Sequence, residues 1–151
     1  MRSTVLERKL HLIVEGEMDA RILCTLLTHE KYTSVHYTAT NGYHNMSSIV
    51  STLRLMLEPE DKMLVVFDSD TETPTDIEDK VTTMSYLTKA DVSRVKIGIF
   101  ALVPDIARAL FGMSKQELKK KRLNVARLLK ENFEEIKNKD AIKRMQAFID
   151  E

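Results

Sequence analysis

The sequence has one cysteine, Cys24, no tryptophan, three prolines and four glycines in 151 residues. A single cysteine cannot form an internal disulfide, so we expect the fold to be stabilised by its apolar core. We also expect the protein to be in the reducing cytoplasm. So few prolines and glycines exclude collagen-like and low-complexity chains. No apolar run approaches the roughly 20 residues of a membrane-spanning helix, and the first residues lack the hydrophobic region of a signal peptide. We therefore expect no membrane partner.

Net charge is lacking as well, because 23 basic residues balance 23 acidic ones. The two signs are segregated along the chain. Residues 58–91 hold ten acids and three lysines, whereas the segment after Met113 is basic and centres on Lys119-Lys120-Lys121-Arg122. An acidic site beside a basic helix suits an enzyme that acts on a phosphodiester backbone. The alternative is that the lysine-rich helix is only a solvated face.

Apolar runs of strand length alternate with segments of helical spacing. Strands are predicted at residues 10–14, 35–40, 63–67 and 95–103, and helices at 17–29, 46–57, 76–87 and 140–149. Pro104 is predicted in the first turn of a helix that ends near 111, and Ser114-Lys115-Gln116-Glu117 is a capping-box pattern.

Strands that alternate with helices predict an α/β fold with a mostly parallel four-stranded sheet flanked by helices. Right-handed crossovers would place the carboxyl ends of the first and third strands at one edge of this sheet. We expect an α/β domain at residues 1–112, with the C-terminal helices of 113–151 packed on it as an extension.

Acidic residues stand where the first and third of these strands end. Glu15-Gly16 and then Asp19 follow the first strand, and Asp68-Ser69-Asp70 follows the third. Ligands of open α/β sheets bind beyond the carboxyl ends of the strands. Carboxylates crowded there repel each other unless a proton or a hard cation is present, and Mg²⁺ takes oxygen ligands. The pattern therefore predicts a site for Mg²⁺ or Mn²⁺.

Each acid also has a structural explanation. Glu15 and Asp19 could simply favour the N-terminal end of the helix that follows them. Asp68-Ser69-Asp70 could form an ordinary turn, and Asp105 could cap a helix. The coincidence of two acidic strand ends in a βαβαβ pattern favours metal binding for Glu15, Asp68 and Asp70.

These motifs resemble the Toprim domain of topoisomerases, bacterial primases and several nucleases. Ile13-Val14-Glu15-Gly16 is similar to its first motif and Val65-Val66-Phe67-Asp68-Ser69-Asp70 to its second, with the turn Thr40-Asn41-Gly42 between them. The resemblance covers roughly residues 9–110 and implies a Toprim-like, Rossmann-like fold.

Two details resemble the overcoming-lysogenization-defect (OLD) type of Toprim nuclease. These are the spacing of Glu15-Gly16 to Asp19 and the segment Leu102-Val103-Pro104-Asp105-Ile106. A later basic residue also contributes in that family, and Lys120, Lys121 or Arg122 could match it. The resemblance implies metal ligands at Glu15, Asp19, Asp68, Asp70 and Asp105, and catalytic roles for Glu15, Asp68, Asp70 and Lys121.

The implied activity is Mg²⁺- or Mn²⁺-dependent cleavage of nucleic acid, with DNA favoured over RNA, in defence against phage or mobile DNA. The ATPase domain that accompanies many OLD-type proteins has no counterpart in this sequence. We therefore expect an ATPase or other regulatory protein as a partner, or a homodimer. Two alternatives stay open: a Toprim ribonuclease that matures structured RNA, and a non-catalytic module that binds metal or nucleic acid.

Overall fold

The computed structural model describes residues 7–120 and 124–151. Four strands form one parallel sheet in the order β2-β1-β3-β4. They are β1 (Lys9–Val14), β2 (Ser34–Ala39), β3 (Lys62–Asp68) and β4 (Lys96–Leu102). The predicted α/β class, with a four-stranded parallel sheet, flanking helices and C-terminal helices, is confirmed.

Eight α-helices accompany the sheet within the described ranges. They are α1 (Glu17–Leu26), α2 (Met46–Leu53), α3 (Pro74–Thr88), α4 (Ile106–Phe111), α5 (Lys115–Lys120), α6 (Val125–Glu131), α7 (Phe133–Lys137) and α8 (Asp140–Asp150). Short 3₁₀ turns lie at Tyr43–Asn45, Arg54–Met56 and Ala90–Val92. No helix in these ranges combines the length and apolar character needed to cross a membrane.

The two faces of the sheet bury separate apolar cores, because successive side chains of a strand point to opposite faces. One core joins alternate residues of β1 and β3 to α1, α4 and the C-terminal helices, including Leu129, Ile136 and Met145. The other lies between the sheet and α2 and α3 around Phe67. All seven residues of β3 are buried, as expected for a central strand covered on both faces.

Several predicted element boundaries differ from the structure, and three of the differences have a local reason. The helix predicted to reach residue 57 ends at Leu53 and continues only as the 3₁₀ turn. Pro104 lies outside α4, which begins at Ile106 because Asp105 occupies the N-cap and accepts a hydrogen bond from the Arg108 N–H. Helix α3 is longer than predicted because Pro74 suits its first turn.

Helix α8 is fastened to the sheet by a buried lysine. The Lys62 side chain, on a residue that is 2% exposed, donates hydrogen bonds from Nζ to the carbonyls of Phe148 (2.6 Å) and Glu151 (3.0 Å). The ring of Phe148 packs over Gly98, where an added Cβ would lie 2.9 Å from it. The C-terminal helix and the start of β3 therefore depend on each other.

We expect Lys62→Met to lower the free energy of unfolding by about 1.5–3 kcal/mol, because it removes charged hydrogen bonds to backbone carbonyls at the end of α8. Urea unfolding followed by circular dichroism measures the change. Lys96→Met is the matched control, because Lys96 lies opposite Lys62 in the register and is exposed. Equal effects of the two substitutions would contradict a role for Lys62 in holding α8.

Candidate metal and phosphate site at the strand ends

The carboxyl ends of β1 and β3 are joined by one short hydrogen bond. Ile13 lies opposite Val65 in the register, so the residues that follow continue side by side. There the Glu15 Oε2 accepts a hydrogen bond of 2.6 Å from the backbone N–H of Asp68. The two acidic motifs of the sequence therefore meet at one edge of the sheet, as the parallel topology requires.

Asp68, the last residue of β3, is 6% exposed and has a partner for each carboxylate oxygen. Its Oδ1 accepts a hydrogen bond from the Ile106 N–H at 3.0 Å, at the start of α4. Its Oδ2 lies 3.4 Å from the Lys115 Nζ, at the start of α5. One side chain thus connects a central strand to two helices that follow it in the sequence.

The carboxyl group of Asp68 titrates abnormally. Burial raises its pKa from 3.8 to about 6, and the negative charge of Glu15 acts in the same direction. The charge and hydrogen bond of Lys115 and the N–H of Ile106 oppose the rise. Desolvation prevails because the carboxylate loses more hydration than these partners replace.

Asp19 brings a second buried carboxylate to this edge. It lies in the first turn of α1, is 7% exposed, and has a pKa raised first by burial and then by the charge of Asp68. Lys115 and the backbone N–H of Gly16 lower this pKa in part. Asp19 is therefore a second buried acid whose negative charge the neighbouring Asp68 disfavours.

Lys115 belongs to the site but is not singled out by the sequence, where Ser114-Lys115-Gln116-Glu117 has only the pattern of a capping box. Burial acts to lower its pKa, but Asp68 and Asp19 outweigh burial and raise the pKa. A lysine in the first turn of a helix opposes the helix dipole. This unfavourable position in the helix indicates that Lys115 interacts with a negative charge outside its own helix.

Asp70 differs from Asp68 although only one residue separates them. Asp70 is exposed and has a left-handed backbone (φ 55°), whereas Asp68 and Ser69 are buried. Its N–H donates a hydrogen bond to the Pro104 carbonyl at 2.8 Å, which fixes the turn against the loop before α4. Of the two acids in this sequence motif, Asp68 is therefore buried and Asp70 is exposed to solvent.

Asp105 acts as a helix cap. Its Oδ1 accepts a hydrogen bond of 2.9 Å from the Arg108 N–H, which is the structural role that the sequence left open. Its negative charge still raises the pKa of both Asp19 and Lys115, so it contributes to the potential of the site.

Two further residues complete the account of the predicted site. Lys121, for which a catalytic role is predicted, and its neighbour Arg122 lie outside the described residues. Tyr43, which the sequence analysis did not select, has a pKa raised by burial and by the charge of Glu15, and its ring packs 5.1 Å from that of Phe67. Tyr43 therefore lies against the same strand end.

The donor atoms suit a hard divalent cation. Glu15, Asp19 and Asp68 offer only carboxylate oxygens, the ligands that Mg²⁺ and Mn²⁺ prefer, and the raised pKa values of Asp19 and Asp68 mark a place where positive charge is favoured. The arrangement is not preformed: across residues 7–120 and 124–151, no three His, Cys, Asp or Glu side chains are grouped so that they could hold an ion. Lys115 supplies the positive charge instead.

Comparisons with known proteins add little to this geometry. No family model matches the sequence. No curated protein matches it either. Among solved structures, a de novo designed Rossmann fold protein aligns over 79% of this chain and 100% of its own, with 8% identity and a TM-score of 0.39. A similarity of that size carries no argument about function.

The raised pKa of Asp68 predicts a pH-dependent stability. Folded Asp68 binds a proton more readily than unfolded Asp68, so the contribution of this residue to stability is greatest below about pH 4 and is lost as pH rises through about 6. Between about pH 4 and about pH 7 we expect Asp68→Asn to gain on wild type by up to about 3 kcal/mol. Urea unfolding at each pH measures the gain.

Asp70→Asn is the control for this measurement. Because Asp70 is exposed, its substitution should change the free energy of unfolding by less than about 0.5 kcal/mol at each pH. A constant difference between Asp68→Asn and wild type across the pH range would contradict the burial of an ionisable Asp68.

Proposed function

We propose that this protein is a Mg²⁺- or Mn²⁺-dependent nuclease of the Toprim type, with the OLD enzymes as its nearest pattern. It would hydrolyse or nick phosphodiester bonds of nucleic acid, DNA in preference to RNA. The observation that carries the proposal is the contact of Asp68 with Glu15 and Lys115 at the ends of β1 and β3, with the buried Asp19 in the first turn of α1. Burying two acids costs free energy, which a binding role at this edge would explain in addition to the contacts of Asp68 with α4 and α5.

In this proposal Glu15, Asp19 and Asp68 hold the ion, and exposed Asp70 and the cap Asp105 are available at its periphery. A bound Mg²⁺ or Mn²⁺ would polarise a phosphodiester and make a bound water more acidic. The hydrogen bond from the Asp68 N–H keeps Glu15 in position between the two strand ends. The helix cap formed by Asp105 keeps the Ile106 N–H directed at Asp68.

Lys115 has two successive roles in this proposal. Without a metal ion it neutralises Asp68, which is why its Nζ lies 3.4 Å from the Asp68 Oδ2. Once an ion takes that place, the lysine is free to face a phosphate and to stabilise the charge that develops there. Its side chain is half exposed, so it can reach solvent without unfolding α5.

The surroundings of the site suit a polyanionic substrate. Helix α5 ends with the exposed Lys119 and Lys120, and the sequence continues with Lys121 and Arg122. Cations beside a carboxylate site attract a phosphate backbone while the metal offsets the acids. We propose a cytoplasmic location because the sequence has a single cysteine, Cys24. We also propose that an ATPase or other regulatory protein is a partner, and that the two act in defence against mobile DNA.

Cleavage assays test this proposal directly. Purified protein incubated with plasmid DNA, and separately with total RNA, should cut DNA with Mg²⁺ or Mn²⁺ and not with EDTA. Asp68→Asn should reduce the rate by at least about 100-fold, because it removes a charged ligand from the reacting centre. Asp79→Asn, at an exposed acid on α3, is the matched control and should cut as wild type does.

The same assay separates the alternatives. Cleavage of one structured RNA and not of DNA would identify a maturation ribonuclease. Metal binding without cleavage of either substrate would identify a non-catalytic binding module. Equal cleavage by wild type and Asp68→Asn would show that a contaminant or another site does the cutting, and the proposal would fail.

Competition between Lys115 and the ion gives a second test. We expect Lys115→Met to bind Mn²⁺ about fivefold more tightly than wild type, because a partly exposed ion pair of about 1 kcal/mol no longer has to break. The same variant should cleave more slowly. Titration calorimetry measures the affinity, and Lys119→Met on the same helix is the control. Weaker Mn²⁺ binding by Lys115→Met would contradict the competition.

A further inference from the structure

Large apolar side chains are exposed at the end of the molecule opposite the acidic site. Tyr86 and Val92 are 81% and 79% exposed, at the end of α3 and in the 3₁₀ turn that follows it. Leu55, Met56 and Leu87 are exposed as well. We call these five residues the amino-edge patch, because their segments lead into the amino ends of β3 and β4.

Chain connections keep the two halves of the patch together. The turn Arg54–Met56 precedes β3 and the turn Ala90–Val92 precedes β4, and the first residues of these strands pair with each other. The Ser51 hydroxyl donates to the Leu87 carbonyl at 3.2 Å, and Arg94 donates to the Leu57 carbonyl at 3.4 Å. Helices α2 and α3 therefore end side by side at one edge of the sheet.

The five exposed apolar side chains of the patch lie in two neighbouring segments. Exposed apolar groups normally occur singly on monomeric proteins, and contiguous patches of several hundred Å² mark binding surfaces. Five side chains of this size supply an area on the order of several hundred Å², a large part of the roughly 800 Å² that each partner contributes to a stable dimer. An open groove of about 570 Å³, lined by Tyr86, Leu87 and Val92, offers room for an inserted side chain.

Charges at the rim indicate which partner fits. Lys89 and Asp91 are exposed, line the same groove and stand on either side of the turn at Ala90. Among the ion pairs of the described residues, none includes either of them. One positive and one negative group beside an apolar centre allow the surface to pair with itself, because a two-fold axis passing between Lys89 and Asp91 would bring each opposite the other residue of a second copy.

We propose that the amino-edge patch is the interface of a two-fold homodimer, with Tyr86 and Val92 at its centre and two Lys89–Asp91 pairs at its rim. The interface stands independently of the nuclease proposal, since it uses no residue of the acidic site. The strands run from this edge to the site, so a dimer formed here leaves both sites open to a substrate.

Exchange of the two charges tests the symmetry as well as the contact. Sedimentation velocity across a concentration series should show a wild-type dimer. Lys89→Glu should weaken the dimer about tenfold or more because it places two acids opposite each other twice, and Asp91→Lys should do the same with two lysines. The double variant Lys89→Glu with Asp91→Lys should recover dimer formation to within about threefold of wild type.

Substitution at the centre supplies the second measurement. Tyr86→Glu should give a monomer, whereas Tyr37→Glu, at an exposed tyrosine on β2 outside the patch, should leave the dimer intact. Circular dichroism identifies any variant that fails to fold. A monomeric wild type, a dimer unaffected by Tyr86→Glu, or a double charge variant as weak as the single ones would each overturn the proposal.

Discussion

The structure is organised around one buried carboxylate, that of Asp68 at the end of the central strand. A charge removed from water must find partners, and Asp68 finds them in the Ile106 N–H and the Lys115 ammonium group. Those contacts fix the starts of α4 and α5 relative to β3. The Asp68 N–H in turn holds Glu15. The effect of burial exceeds that of these partners, so the pKa of Asp68 rises to about 6. Additional positive charge at the site would therefore be favourable.

The unbalanced negative charge at this site links the proposed metal binding to the position of Lys115. Either a lysine or a divalent cation can neutralise the negative charge of the buried acids Asp19 and Asp68. The lysine is attached to the chain and is half exposed, so its exchange for an ion needs only a side-chain movement. The parallel sheet separates this chemistry from the amino-edge patch, because every strand begins at one edge and ends at the other.

Much of the fold was predictable from the sequence. The strands β1 and β3 are short apolar runs with an acid at the end, and such runs have few alternatives to a central position in a sheet. Predictions failed where local signals competed. Asp105 rather than Pro104 sets the start of α4, because a side-chain cap satisfies a free N–H and proline does not. At the predicted site, Glu15 is hydrogen-bonded to the Asp68 N–H and Asp19 is buried in the first turn of α1, whereas Asp70 is exposed to solvent.

The sequence by itself determined the α/β class, the strands that carry acids and the edge at which those acids meet. Periodicity and strand polarity suffice for that, since parallel neighbours must end together. Only the tertiary structure decided which acids are buried, and that Lys115 is their counter-charge. Desolvation and pairing depend on neighbours nearly fifty residues away in the chain, as for Asp68 and Lys115. No local pattern of residue types encodes those distances.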